Sequence, residues 1–268
     1  GVDFYRQDFN IPPIDLWRSK DAPDRQGMTE NLHNQGYLGW WDELRRRQPN
    51  LRLDCCASGG RRNDLETLRR AVPLHRTDYV GEPTSQQCHH YGLSQWVPYH
   101  GAGYIVGKSA LPPPDCPPIP PPDKIDSYFF RSGMSPSLGI SVDVKRDDYD
   151  YDFLRRLIAQ FRQISPYYYG DFYPLTGYSL RNNVWIAWQY DRPDLGQGMV
   201  QAFRRHENNE ESQTCKLNGL NPDAEYIVTD LDVNQPRTYT GRDLMETGLQ
   251  ITAKEKPAAL IITYEMLK

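Results

Sequence analysis

The sequence predicts an α/β chain followed by an all-β one: a (β/α)8 TIM-barrel portion of about five βα units, then an antiparallel β-sandwich. Two observations predict it. Up to about residue 171, strand-sized apolar runs alternate with segments of helical periodicity, the pattern of a parallel sheet. From residue 172 to 268, short strand-like runs follow one another, separated by Asn-Gly, Asn-Pro-Asp and Thr-Gly turn signals. That change of pattern divides the chain into 1–171 and 172–268.

In the first part, Val2–Phe9 reads as a strand and Thr29–Gln48 as a helix, with Leu32, Tyr37, Leu38, Trp41 and Leu44 apolar and Arg45–Arg47 suited to a helix C-terminus. Leu51–Cys55 is the next strand. Asn63 or Asp64 caps a helix through Leu65, Leu68 and Val72 that ends at Pro73. Leu74–Tyr79 is strand-sized, Thr84–Leu93 helical, and Gln95–Tyr99 and Ser137–Val142 are further strands. Asp150–Gln163 places Phe153, Leu154, Leu157, Ile158 and Phe161 on one helix face. A proline run, Leu111–Asp123, favours extended polyproline II and reads first as a loop insertion near a barrel mouth, with an SH3-type ligand as the alternative. In the second part, Trp185–Tyr190, Gly198–Arg204, Gln213–Leu217, Tyr226–Asp230 and Ala258–Tyr264 are the strands, and their expected role is structural, with sugar binding as the alternative.

Bulk properties exclude several classes. Mean hydropathy is -0.75, and no apolar run approaches the roughly 18–20 residues that span a bilayer, so a membrane partner is not expected. A net charge of -4 gives no basic footprint for nucleic acid. Aromatic residues make up 12% of the chain, which favours a sugar ligand, since flat faces stack on sugar rings, although core packing explains most aromatics in any protein. Cys55, Cys56, Cys88, Cys116 and Cys215 have neither zinc-site spacing nor a disulfide framework, so the compartment stays undetermined. The pair His89-His90 reads as surface or core histidines, because adjacent helix residues diverge. No cofactor or metal is expected. The start at Gly1 reads as a processed, cut or split product.

The chemistry gathers at strand ends. Asp8 follows the first strand in Tyr-Arg-Gln-Asp-Phe-Asn, and a carboxylate at the C-terminal end of a barrel strand points into the mouth. Arg6 faces the same way under period-two alternation and would keep Asp8 ionised, as a nucleophile requires. A turn-forming Asp is the bland alternative. After the second strand, Cys56-Ala-Ser-Gly-Gly-Arg-Arg-Asn-Asp64 lets the backbone approach a ligand, or is simply a tight capped turn. It fits no phosphate-cradling pattern. Asp78 ends Leu-His-Arg-Thr-Asp-Tyr and shares the mouth with Asp8. One ionised and one protonated carboxyl are the apparatus of glycoside hydrolysis. His100, in Tyr-His-Gly-Ala-Gly, either lines the pocket or sits in the core. Trp40, Trp41 and Trp96 read first as packing.

These three segments resemble the catalytic core of glycoside hydrolase family 36. The family's signature is a Lys-Trp-Asp-x-Asn strand end, a Cys-x-Ser/Gly-Gly-Gly-Gly-Arg-x-Asp turn and a Trp-Thr-Ser-Asp strand end. The resemblance continues through Trp96–Ala102, Ser137–Asp143, Gly219–Ala224 and Gly241–Met245. It implies Asp8 as nucleophile and Asp78 as acid/base, with Arg6, Asn10, Cys56, Ser58, Arg62 and His100 as substrate-binding residues and Asp64 on the motif's Asp. The activity it implies is retaining removal of terminal α-linked galactose.

The sequence also departs from the family. Arg6 stands for Lys, Gln7 for Trp and Ser58 for a glycine, and His75-Arg76-Thr77 replaces the aromatic approach to the acid/base. Ser58 and Arg6 motivate an α-N-acetylgalactosaminidase or α-galactosaminidase alternative. The family's N-terminal sandwich and first barrel strands have no counterpart here. A further alternative is therefore a non-catalytic fragment or subunit that takes a complementary N-terminal half as its partner; a homo-oligomer is compatible with either.

Overall fold

A computed structural model describes residues 1–78, 80–97, 100, 101, 103–106 and 125–267. The chain forms two compact units, Gly1–Asp78 and Tyr79–Lys268. The proline run Leu111–Asp123, Cys116 and residues 98, 99 and 102 lie outside the described residues.

The first unit holds β1 (Phe4–Asp8), α1 (Ile14–Lys20), α2 (Met28–Arg47), β2 (Arg52–Cys56) and α3 (Leu65–Leu68). β1 and β2 pair in parallel, with Arg6 opposite Asp54 and Asp8 opposite Cys56. A parallel pair needs a crossover, and the long α2 supplies it. Its anchor is Trp41, which is buried with Leu53, Cys55 and Ala71 and donates from Nε1 to Gln7 Oε1 at 2.7 Å. The tryptophan expected from the resemblance at position 7 is thus replaced by an acceptor for a neighbouring tryptophan. Asp64 caps α3, its Oδ1 accepting from Thr67 N at 2.9 Å.

The expected strand Leu74–Tyr79 is not formed among its described residues. Val72 makes a single bridge to Asp54, and Leu74 N turns aside to donate to the Asp54 carboxylate at 2.9 Å. The chain then runs across the glycine turn instead of along a strand.

The second unit opens with α4 (Pro83–Ser94), capped by Glu82, whose carboxylate accepts from Thr84 N and Ser85 N. The expected strand Gln95–Tyr99 is, in its described part, the helix-end turn of α4, where Trp96 N and Val97 N both donate to Leu93 O. The strand comes later, as β3 (Gly103–Val106), followed by α5 (Ser127–Gly133) and β4 (Leu138–Ser141). β3 and β4 are parallel. α5 approaches β3 so closely that a Cβ at Gly103 would stand 1.8 Å from the Gly133 carbonyl oxygen. The amphipathic α6 (Tyr151–Ile164) buries Leu154, Leu157 and Ile164.

The remaining strands are β5 (Asp171–Pro174), β6 (Trp185–Arg192), β7 (Gln197–Arg204), β8 (Ser212–Cys215), β9 (Glu225–Asp230) and β10 (Arg237–Thr240); α7 (Gly241–Glu246), β11 (Leu249–Thr252) and β12 (Ala258–Met266) complete the chain. Six of them form one antiparallel sheet in the order β10-β9-β12-β7-β6-β5, and β11 pairs with β8 as a separate ribbon.

Period-two alternation sends Ile186, Trp188 and Tyr190 of β6 to one face, where they pack with α5 and α6, and Trp185 and Ala187 to the other, with Cys215, Leu244, Leu249 and Ile251. A sheet covered on both faces explains why β6 and β7 are buried along nearly their whole length, polar residues such as Gln189 and Gln201 included. Arg131, buried on α5, ties that helix to the sheet by donating to both Asp232 oxygens at 2.6 Å and to Ala259 O. The C-terminal antiparallel β architecture is as expected. No described helix is long and apolar enough to cross a membrane.

Candidate active site

Every sequence-predicted site residue except His100 falls in the first unit. The frame is the end of the β1–β2 pair. Because the strands are parallel and in register, Asp8 and Cys56 end side by side, and Phe9 N donates to Cys56 O at 3.3 Å. Arg6 lies one period-two step before Asp8 and reaches it through Nη2 at 3.3 Å, while its Nη1 pairs with Asp54. Asp54 is almost fully buried. Burial works against the Arg6 cation, but the Asp54 bond and charge, with help from Cys56 and Asp8, hold its pKa above the ordinary value. Arg6 therefore stays charged beside Asp8, as the alternation predicted.

Burial raises the Cys56 thiol, an N–H from Gly59 pulls it down, and the Asp8 carboxylate pushes it up again. The net effect is upward, so Cys56 is a thiol rather than a thiolate, a donor facing Asp8. Its neighbour Cys55 is pushed up to about 12, first by burial and then by Asp54. Cys55, Cys56, Cys88 and Cys215 are all free thiols.

The turn after Cys56 has a demanding backbone. Ser58 and Gly59 are consecutive left-handed residues, with φ of +54° and +75°. For Ser58 that conformation costs about 1 kcal/mol, and its Oγ donates to Asn10 Oδ1 at 2.7 Å, which helps hold it. At Gly59 only hydrogen fits, since a Cβ would lie 2.8 Å from Asp78 N and 3.2 Å from Asp78 Cγ. The same turn therefore carries Asp8 against Cys56 at one end and Asp78 against Gly59 at the other. Arg62 follows, stacked over the Tyr37 ring at 4.5 Å and 5.9 Å from that of Phe9. Burial lowers its pKa, and the charges of Asp64 and Asp8 oppose that fall.

Asp78 accepts, when ionised, from His75 Nε2, which is 2.7 Å from Oδ1. Asp64 is engaged as a helix cap. His100 belongs to the second unit. It is buried there, with Nε2 3.0 Å from Ser94 Oγ and its ring edge-on to His90 at 4.9 Å. His90 is a core histidine in contact with Trp188. No group of three or more His, Cys, Asp or Glu suited to a metal occurs among the described residues.

Three site residues escaped the sequence reading. Asp54 holds Arg6; its only signal is a carboxylate between Leu53 and Cys55 in a short strand. Tyr37 contacts Arg62 across 25 residues of chain, and His75 reaches Asp78, three residues on, only because the segment between them turns instead of running as a strand, in which the two side chains would face opposite ways.

Comparison with known proteins shows what the chain is similar to. Residues 185–263, from β6 into β12, match the family model described as the glycosyl hydrolase family 36 C-terminal domain. The chain is 28% identical over 244 residues to alpha-galactosidase C of Emericella nidulans, covering 88% of this chain and 30% of that protein. Among solved structures it resembles a family 36 α-galactosidase of Geobacillus stearothermophilus, with TM-score 0.78, 21% identity and coverage of 99% of this chain and 35% of the other. An α-galactosidase from Lactobacillus brevis gives TM-score 0.79 at 18% identity, with 99% and 36% coverage. The chain is thus similar to glycoside hydrolase family 36 α-galactosidases, the family whose motifs it resembles, and it spans about a third of their length.

Proposed function

We propose that the chain carries the catalytic carboxylates of a retaining, exo-acting α-galactosidase. Asp8 attacks the anomeric carbon of a terminal α-galactoside while Asp78 protonates the departing oxygen. Water, deprotonated by the same Asp78, then releases the sugar from its β-linked ester with Asp8, so configuration is retained. Arg6, Asn10, Cys56, Ser58 and Arg62 are the proposed sugar-binding residues; His100, buried against Ser94 and His90 in the second unit, is given no such role. The observation that carries the reading is the turn 56–60 flanked by both carboxylates, with Arg6 beside Asp8 and His75 beside Asp78. We further propose residues 1–171 as part of a (β/α)8 barrel, a reading supported by the parallel pairs β1–β2 and β3–β4, and residues 172–268 as the sandwich domain.

In the longest natural polypeptide carrying the chain, Asp8→Asn is expected to lose about a thousandfold or more in kcat/KM on an aryl α-galactoside, some 4 kcal/mol of barrier. Azide is expected to rescue Asp8→Gly as the β-galactosyl azide. Full activity in Asp8→Asn rejects the assignment. Comparing the 2-acetamido analogue with the galactoside decides between galactose and N-acetylgalactosamine.

A second reading, that the chain acts only with a complementary N-terminal segment, is favoured by one face of the first unit. An open groove of about 450 Å³ there is lined by Tyr5, Gln7, Phe9, Leu32, Gly36, Tyr37 and Trp40. Leu32 and Trp40 are exposed, and β1 has no strand beyond it among the described residues. Gel filtration with and without the remaining segment tests it: a stable, active monomer of this chain alone rejects the need for a partner.

A further inference from the structure

We propose that His75 is a positioning residue for the acid/base step, holding Asp78 by one carboxyl oxygen so that the other meets the glycosidic bond. The proposal rests on the reading of Asp78 as acid/base. His75 lies three residues before Asp78, and its Nε2 is 2.7 Å from Oδ1. Both side chains are about a fifth exposed, so the contact is largely shielded from water. Gly59 closes another side, because its missing Cβ leaves room for Asp78 Cγ and Oδ1. A carboxyl pinned at Oδ1 presents Oδ2 in one direction only.

The proton count closes without any other reagent. In the first step Oδ2–H gives its proton to the glycosidic oxygen as the C–O bond breaks and Asp8 bonds to the anomeric carbon. The resulting Asp78 carboxylate keeps the His75 N–H on Oδ1, a charge-assisted bond that strengthens as negative charge develops there. In the second step Oδ2 takes a proton from water as the ester breaks, restoring the acid.

A merely structural His75 would slow all substrates alike. A residue that serves proton donation matters only where the leaving group needs a proton. The test therefore compares an α-linked galactosyl disaccharide with 2,4-dinitrophenyl α-galactoside in the longest natural polypeptide carrying the chain. His75→Leu and His75→Asn are expected to lose about 10- to 100-fold in kcat/KM on the disaccharide, the worth of one bond to a charged group. On the dinitrophenyl substrate they should stay within about threefold. His75→Gln, which keeps an amide N–H near the Nε2 position, is expected to recover most of the disaccharide activity.

Equal losses on both substrates, or none on the disaccharide, overturn the proposal. Should the leucine variant not fold, the asparagine and glutamine variants decide it. Asp78→Asn serves as the reference. If it shows the leaving-group split and His75 variants do not, only the role of His75 falls; if Asp78→Asn shows no split, the acid/base reading itself falls.

Discussion

Asp54 shows how much a single buried carboxylate organises here. It accepts from Arg6 and from Leu74 N, so it both aims the cation at Asp8 and turns the chain toward Asp78. Asp54→Ala leaves a partly buried guanidinium and a backbone N–H without this partner. A loss of about 2 kcal/mol is expected, read as a lower urea midpoint, together with a rise in KM for an α-galactoside. Asp191 on β6 is the opposite kind of residue. Burial raises its pKa above the ordinary 3.8, and the bond from Tyr264 only partly offsets this. A carboxyl that is harder to ionise in the folded chain keeps its proton longer there. It therefore penalises the fold once it must ionise, and stability falls as pH rises from 3.8 through the folded value. Asp191→Asn is expected to flatten that fall, as measured by urea midpoints between about pH 3.5 and 6.5.

At the scale of elements, the readable ones carry their own local signals. α6 declares itself by its apolar stripe and Asp150 cap, and it buries Leu154 and Leu157 as that stripe requires. α3 is only a turn long and depends on its cap. Asp64→Ala is expected to cost about 1 kcal/mol, with Asp64→Ser nearly neutral, measured by thermal unfolding. The elements that went unread are short. β10 and β11 are four-residue strands whose pairing comes from β9 and β8 rather than from their own composition. Gln95–Tyr99 looked like a strand because it is apolar and aromatic, but the end of α4 claims its first residues.

At the scale of the molecule, the two units differ in what holds them. The second has a six-stranded sheet with a core on each face, whereas the first has the small cluster of Trp41, Leu53, Cys55 and Ala71. A small core leaves less free energy to resist local opening. Amide hydrogen exchange is therefore expected to be faster in α2 and β1 than in β6 and β7, by mass spectrometry of the isolated chain. If a complementary segment covers the groove at Leu32 and Trp40, its addition slows exchange there and leaves β6 and β7 unchanged.

The sequence by itself determined the order of pattern, α/β and then antiparallel β, and it placed Asp8, the Cys56–Asp64 turn and Asp78 in three consecutive motifs. Alternation and turn chemistry are local, so they survive in one dimension. The partners of those residues were decided only by tertiary structure. Parallel pairing put Asp54 beside Arg6, the left-handed Ser58–Gly59 turn brought Asp78 against it, and the chain between Pro73 and Asp78 gave up its strand to place His75 on the carboxylate. The first two contacts depend on where separate segments meet after folding, and the third on a local turn of the backbone that the strand-sized run Leu74–Tyr79 does not announce.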